Sequence, residues 1–262
     1  MNLEETVESA RPFLDRIVKE AASILMKHFR SPLKMSNKVG NDIVTQADLE
    51  SEAHVAGAIR AQFPTHALIA EEGSVGAAES EFCWHIDPLD GTVNFAAGTP
   101  IFAVAVSLSH RNRPVLSAIL DPTRDEFYFA QEGRGATCNG TPIRVSETAT
   151  LSQSLVYVST FALRRPDQVD RVTSALRRLG VETRNVVNLG SAGISWAYVA
   201  AGRLDGEVSF SADQYTGPAG ILLVRGAGGR ATDFSGADWI PGGVDLVASN
   251  GKIHDELLAA VE

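Results

Sequence analysis

The chain contains 262 residues, of which 44% are hydrophobic and 21% charged, and its formal net charge at pH 7 is −9. This length and composition predict a globular protein with a sizeable core, and the acidic balance argues against binding to nucleic acid, which calls for clustered basic residues. No uncharged stretch is long enough to cross a membrane, and two cysteines give neither a disulfide framework nor a zinc-binding spacing. We therefore expect a cytoplasmic protein that binds neither nucleic acid nor membrane.

Helical periodicity predicts two helices near the N-terminus. Apolar residues at helical spacing predict an amphipathic helix over about the first thirty residues, ending at Pro32. A polar loop without periodicity follows over residues 34–42. Thr45 and Asp48 then have the spacing of a capping box, with Asp in place of the usual Glu or Gln. This spacing predicts a second helix that runs to about Phe63.

The rest of the chain divides by its pattern of strands and helices. Short apolar runs separated by Gly, Pro and Asp predict a strand-rich section over residues 67–130. Beyond residue 150, predicted strands alternate with helices, and two of these helices cover residues 190–201 and 218–225. No linker or repeat separates the two patterns. We therefore expect one folded unit with approximate halves 1–150 and 151–262.

Acidic residues recur at three points of the first half. Asp87 ends an apolar run and Asp90 opens the following Gly-Thr turn, while Glu71 and Asp48 come earlier in the chain. Each one alone is more often part of a turn, a solvated strand end or a helix cap. Brought together, such carboxylates would repel by about 1 to 4 kcal/mol per pair at roughly 4 Å, a cost that a divalent cation removes. Oxygen-only ligands favour magnesium, manganese or calcium over zinc.

Several segments together resemble one protein family. Residues 87–95, D-P-L-D-G-T-V-N-F, are similar to a signature of the inositol monophosphatase family. Residues 43–48 resemble its V-T-x-A-D motif and residues 70–73 its G-E-E segment, with Ala70 in place of the glycine. Glycine-containing segments further along follow the order of the family, so the resemblance covers essentially the whole chain. It implies an α/β fold (α+β by some schemes), the layered α-β-α-β-α sandwich of the inositol monophosphatase and fructose-1,6-bisphosphatase type.

The resemblance also implies a metal-dependent hydrolase. Two or three Mg²⁺ ions per site, replaceable by Mn²⁺, would be held by Glu71, Asp87, Asp90 and the backbone carbonyl of Leu89. Asp48 and Thr92 would orient and deprotonate the attacking water, and Glu71 would assist through waters on a third ion. The phosphate and the hydroxyl-bearing side of the substrate would meet a further set of residues: Asp90, Gly91, Thr92, Gly190, Ser191 and Ala192.

Two further positions depart from the family pattern. Thr216 stands where the family has an Asp that completes the second metal site. A Thr hydroxyl is a weak cation ligand, so we predict that Thr216 caps the following helix, with Asp213 as the alternative metal ligand. Ser209 stands where relatives that hydrolyse inositol phosphates tend to have a Glu that contacts a substrate hydroxyl. A Ser would make that contact weaker or absent.

These features predict a phosphomonoesterase that acts on inositol monophosphate or a similar small polyol or sugar phosphate. The same resemblance leaves open a nucleotide 3′-phosphatase, a fructose-1,6-bisphosphatase or a histidinol-phosphatase. An alternative of another class is a catalytically weakened relative that binds a phosphorylated ligand or a protein partner without turnover, because Thr216 replaces an expected ligand. Since family members are commonly homodimers, we expect a homodimer.

Overall fold

The structure, a computed structural model, describes residues 2–37, 43–73 and 80–261. The predicted polar loop over residues 34–42 therefore falls partly outside the described residues, and its residues 35–37 form a short strand. Within the described ranges, no helix is long and apolar enough to span a membrane.

Two helices form the first layer. Helix α1 (Leu3–His28) begins with a capping box between Asn2 and Glu5. It ends four residues before Pro32: the backbone of Phe29 leaves the helical conformation with ψ of 126°, and Arg30 follows in a left-handed conformation with φ of 61°. Strands β1 (Met35–Asn37) and β2 (Ile43–Thr45) pair as a hairpin, and helix α2 (Gln46–Gln62) follows at the predicted capping box. Both helices bury their apolar faces against the first large sheet.

The first large sheet contains seven strands of the described chain. They are β3 (Ala67–Ala70), β4 (Phe82–Asp90), β5 (Ala103–His110), β6 (Arg113–Asp121), β7 (Glu126–Gln131), β8 (Gly135–Cys138) and β9 (Thr141–Pro142). Their spatial order follows the sequence, and all neighbours are antiparallel except β3 and β4. The short helix α3 (Thr92–Ala96) follows β4 directly. The strand-rich section is therefore confirmed.

The second sheet has the order β11-β10-β12-β14-β13. These strands are β10 (Leu155–Val158), β11 (Asn185–Val187), β12 (Gly206–Ser209), β13 (Arg230–Thr232) and β14 (Leu246–Ser249). Strand β10 is parallel to both neighbours, whereas β14 is antiparallel to both of its neighbours.

The remaining helices complete the layers. Helices α5 (Ala192–Ala200) and α6 (Gly217–Gly226) pack between the two sheets, while α4 (Val169–Glu182) and α7 (His254–Val261) cover the outer face of the second sheet. Three buried apolar clusters fill the spaces between the layers, and the middle one extends over both faces of the central helices. The predicted α-β-α-β-α sandwich is confirmed. Strand ends of both sheets lie near the N-termini of the central helices α5 and α6, where they line one cavity.

Candidate active site

A cavity of about 490 Å³ lies where strand ends of both sheets meet the starts of α3, α5 and α6. Within the described part of the chain, five carboxylate side chains line it: Glu71, Asp87, Asp90, Glu207 and Asp213. The sequence predicted four of these and missed Glu207. The remaining predicted site residues also line the cavity, except Asp48, which reaches it through Thr92.

Strand β4 carries the first two carboxylates on an irregularity. Its pairing with β5 shifts register between Asp87 and Asp90, where Pro88 cannot donate a ladder hydrogen bond. Such a bulge re-aims the side chains that follow it. The amide of Leu89 donates to Asp87 Oδ1 at 3.1 Å, and Asp87 and Asp90 both line the cavity.

Asp87 lies at the electrostatic centre of the cluster. Burial, and then the charges of Glu71, Asp90 and Asp213, raise the pKa of Asp87. The cause is physical: a buried carboxylate surrounded by other carboxylates ionises reluctantly unless a cation neutralises them. Glu71 itself follows β3, and its backbone amide donates to the carbonyl of Ile86 at 3.2 Å, which fixes it beside β4.

Asp90 is tied to the start of α5. Its Oδ1 accepts from the amide of Ala192 at 3.0 Å, and its Oδ2 accepts from the amide of Gly193 at 2.8 Å and from the Ser191 hydroxyl. Burial raises the pKa of Asp90 to about 6, and these three hydrogen bonds oppose that shift. Ser191 and Ala192, predicted to contact substrate, are thus ordered at the cavity by Asp90.

Asp48 and Thr92 form a hydrogen-bonded pair, although they are 44 residues apart. The Thr92 hydroxyl lies 3.1 Å from Asp48 Oδ1 and 3.0 Å from the carbonyl oxygen of Leu89. The other oxygen of Asp48 accepts from the amide and the hydroxyl of Thr45 at 2.9 and 2.5 Å, as the predicted capping box requires. Burial raises the pKa of Asp48 against these hydrogen bonds.

The turn before α3 depends on glycine. Gly91 has a φ of 92°, and a Cβ there would lie 2.9 Å from the carbonyl oxygen of Ile101 and 3.3 Å from that of Gly190. Asn94 joins the same two segments, because its Nδ2 donates to the carbonyls of Ile101 and Leu189 at 2.9 and 2.8 Å. The signature residues Gly91 and Asn94 therefore hold the start of α3 against the turn that precedes α5.

Thr216 does not have its predicted role. It occupies the N-cap position of α6, but its side chain makes no capping hydrogen bond. Its hydroxyl instead donates to Asp87 Oδ2 at 2.6 Å. Just before α6, Asp213 Oδ1 accepts from the amides of Tyr215 and Thr216, both at 2.7 Å. The prediction was wrong because a buried carboxylate on a distant strand competes for the Thr216 hydroxyl.

His85 is a site residue that the sequence did not reveal. It precedes Asp87 by two positions on β4, and its Nδ1 lies 2.8 Å from the carbonyl oxygen of Gln214. Burial lowers the pKa of His85 to about 4, so the ring is neutral and Nδ1 carries the proton that is donated. His85 therefore anchors the loop that carries Asp213 to the strand that carries Asp87.

The donor set fits a hard divalent cation by its chemistry. Carboxylate and carbonyl oxygens are the ligands that Mg²⁺ and Mn²⁺ prefer, and the mutual repulsion that raises the pKa of Asp87 is what a cation would relieve. Among the residues that the structure describes, no three acidic, histidine or cysteine side chains already lie at the spacing of a metal-ligand set. Hydrogen bonds from Thr216, Ser191 and backbone amides occupy several of these oxygens instead. The predicted ligand roles stay predictions.

Comparisons with known proteins agree over nearly the whole chain. Residues 7–262 match the model of the inositol monophosphatase family. The Nus factor SuhB of Pseudomonas aeruginosa is 35% identical over 261 residues, which cover 96% of each chain. The fructose-1,6-bisphosphatase/inositol-1-monophosphatase of Thermotoga maritima is 34% identical over 250 residues, which cover 95% of this chain and 94% of that relative. The solved inositol monophosphatase from Anabaena (Nostoc) sp. PCC 7120 superposes with a TM-score of 0.85 at 34% identity, covering 97% of this chain and 96% of the other.

Proposed function

The chain belongs to the inositol monophosphatase family, and from this premise we propose that it is a Mg²⁺-dependent phosphomonoesterase acting on a small polyol or sugar phosphate. The observation that carries the proposal is the convergence of Glu71, Asp87, Asp90 and Asp213 on one cavity beside the Asp48–Thr92 pair. Together with Asp48, these carboxylates come from four separate segments of the chain, which have no common structural need to meet. A divalent cation and a phosphoester give them one.

Glu71, Asp87, Asp90, Asp213 and the Leu89 carbonyl would hold the metal. When bound, divalent ions supply a water of lowered pKa, a clamp on the phosphate and stabilisation of the leaving alkoxide. The remaining chemistry belongs to the chain's own residues.

The Asp48–Thr92 pair handles the proton in the proposed reaction. The Thr92 hydroxyl donates toward Asp48 Oδ1 and offers its lone pairs to the attacking water. As the water attacks phosphorus, its proton passes to Thr92 Oγ1 while the Thr92 proton passes to Asp48. Burial raises the pKa of Asp48, which makes it a better base near neutral pH than an exposed aspartate.

The turn segments position the substrate in this proposal. The backbone of Gly91 and Thr92 at the start of α3 is the proposed phosphate contact, since helix N-termini favour anions. Gly190, Ser191 and Ala192 lie across the cavity, where Asp90 holds them in place. They are the proposed contacts for the remainder of the substrate.

Asp213 takes the place of the carboxylate that Thr216 lacks. Its charge contributes to the raised pKa of both Asp87 and Asp90, so it lies close to the two proposed ligands of the second ion. Thr216 meanwhile orients Asp87 by donating to its Oδ2. We infer that the second metal site is kept, with its third carboxylate three residues earlier in the chain.

The variant Asp213→Asn tests this relocation. Asparagine keeps the oxygen that accepts from the amides of Tyr215 and Thr216 but removes the charge, so we expect the apparent affinity for the weaker Mg²⁺ to fall at least about 10-fold. Adding Thr216→Asp to that variant restores a carboxylate, and we expect the double variant to recover most of the lost Mg²⁺ affinity. The readout is the Mg²⁺ dependence of turnover together with calorimetric metal binding.

Asp233→Asn is the matched control. Asp233 accepts backbone amides of Ser235 and Ala237 at 2.8 and 3.0 Å in a turn remote from the cavity, so its substitution should leave metal affinity unchanged. If Asp213→Asn behaves like this control, and Thr216→Asp changes nothing, Asp213 holds no metal.

A phosphate-release screen tests the proposed function itself. The purified protein is assayed with Mg²⁺, and with a chelator instead, on inositol 1-phosphate, fructose 1,6-bisphosphate, histidinol phosphate and adenosine 3′,5′-bisphosphate. We expect release from at least one substrate, lost on chelation and restored by Mg²⁺. Absence of release from every substrate, in protein shown to be folded, contradicts the proposal.

A binding role without turnover is the second candidate. It is favoured by Thr216, which replaces an expected ligand, and by the relative that is named a Nus factor. The Asp48–Thr92 pair favours the enzyme hypothesis, because a protein that only binds its ligand does not need a pair of side chains that activates water. A negative screen combined with binding of inorganic phosphate would favour this second candidate.

A further inference from the structure

Strand β12 has one apolar and one polar face. Val208, like Val156 and Val158 on the neighbouring strand β10, packs into the apolar cluster under the outer helices. Because side chains alternate along a strand, the residues next to these valines on the two strands point the other way. They line the cavity: Tyr157, Ser159, Glu207 and Ser209.

Glu207 stands out on this polar face. It is only 1% exposed, yet it lines the cavity and pairs directly across the sheet with Tyr157. Its Oε2 accepts from the Ser195 hydroxyl at 2.7 Å. No other hydrogen bond to the Glu207 side chain occurs among the described residues, so Oε1 is left for a partner inside the cavity. Burying a carboxyl group is costly unless both its oxygens find partners.

The location of Glu207 identifies the kind of partner. A carboxylate repels a phosphate, so Glu207 suits the part of a substrate that carries no phosphate. A hydroxyl group is the natural match, since it donates to a carboxylate and both donates to and accepts from the nearby Tyr157 hydroxyl. Ser209, two residues further on the same face, has a shorter side chain whose Oγ accepts from the amide of Ser211 at 3.3 Å.

We propose that Glu207 determines specificity by accepting a hydrogen bond from a substrate hydroxyl, so that the cavity selects phosphate esters of polyols over esters without neighbouring hydroxyls. This inference rests on the proposed phosphatase function and names its substrate class. Ser195 orients the carboxylate, and Tyr157 forms the adjoining wall. A site built to pair with a hydroxyl discriminates strongly against ligands that lack it, because its buried polar group is then left without a partner.

The test compares two substrates in three proteins. Wild type, Glu207→Gln and Glu207→Ala are assayed with Mg²⁺ on inositol 1-phosphate and on p-nitrophenyl phosphate, which has no hydroxyl. We expect Glu207→Ala to lower kcat/KM for inositol 1-phosphate about 10- to 100-fold, mainly through KM. Glu207→Gln, which keeps an acceptor, should lose less, and activity on p-nitrophenyl phosphate should change less than about twofold in both variants. Equal losses on the two substrates, or no loss on either, would overturn the inference.

A binding measurement separates this inference from the proposed reaction. Calorimetry with Ca²⁺ in place of Mg²⁺ compares inositol 1-phosphate with inorganic phosphate in wild type and Glu207→Ala. The inference predicts weaker binding of the polyol phosphate alone, and equal weakening of both ligands would refute it. Because no turnover is needed, a wild type that binds both ligands but releases no phosphate would refute only the proposed function. Ser195→Ala, which leaves the carboxylate present, should keep the preference for the polyol phosphate.

Discussion

Asp48→Asn is expected to lower kcat about 10²- to 10⁴-fold, the range over which a positioned general base contributes to catalysis. The amide keeps an oxygen that can accept from Thr45, so the start of α2 should survive. What is lost is the acceptor of the proton that passes through Thr92. Metal affinity should stay within about threefold, because Asp48 is not among the proposed ligands. Steady-state kinetics and metal titration give the two values.

The double variant distinguishes a catalytic pair from a structural one. Thr92→Val removes the hydroxyl that links Asp48 to the cavity, so it should cost about as much as Asp48→Asn. If the two side chains act as a unit, the double variant loses little more than either single variant. Thr92→Ser, which keeps the hydroxyl, should retain most of the turnover. Losses that multiply in the double variant would show that Asp48 and Thr92 do not share one proton path.

Asp87→Asn is the substitution with the largest expected effect on metal binding. Asp87 is the carboxylate whose pKa is raised by the charges of Glu71, Asp90 and Asp213 together, so it lies nearest to the middle of the cluster. The substituted amide can still accept from Leu89 or Thr216, and it removes charge repulsion. We therefore expect a metal-free protein that is at least as stable as wild type, in which turnover falls by more than about 10²-fold.

Local sequence patterns predicted the elements well because the relevant forces are local. The capping box at Thr45 and Asp48 starts α2, and the apolar run before Asp87 forms the centre of β4. The end of α1 was placed too late, because Pro32 was a visible breaker while the left-handed turn at Arg30 has no residue signal. The layered arrangement followed from the family resemblance rather than from periodicity.

The residues that line the cavity were predictable where they share a short motif, and their contacts were not predictable where they join distant strands. Residues 87–95 place Asp87, Asp90, Gly91 and Thr92 within one turn of the chain. The hydrogen bond of Thr216 spans 129 residues, and no local pattern reveals that Asp87 competes with the helix for its hydroxyl.

Glu207 and His85 left weak signals that could have been used. Both are polar residues inside predicted apolar strands, and each lies two positions from a predicted site residue, Ser209 and Asp87 respectively. A two-residue spacing places side chains on the same face of a strand. Alternation along β4 and β12 therefore places each residue on the same face as its predicted site neighbour: Glu207 lines the cavity, whereas His85 contacts the carbonyl of Gln214 beside it.

The proposed metal site is tested most directly by measuring Mn²⁺ binding to wild type and to Asp87→Asn. Binding is monitored by titration calorimetry, with Mg²⁺ as the competitor. Since negative charges from separate segments are held together at Asp87, wild type should bind Mn²⁺ saturably, Mg²⁺ should displace it, and Asp87→Asn should weaken the tightest site at least about 100-fold. Equal Mn²⁺ affinity in the two proteins, with both folded, would show that the carboxylates around the cavity do not form a metal site.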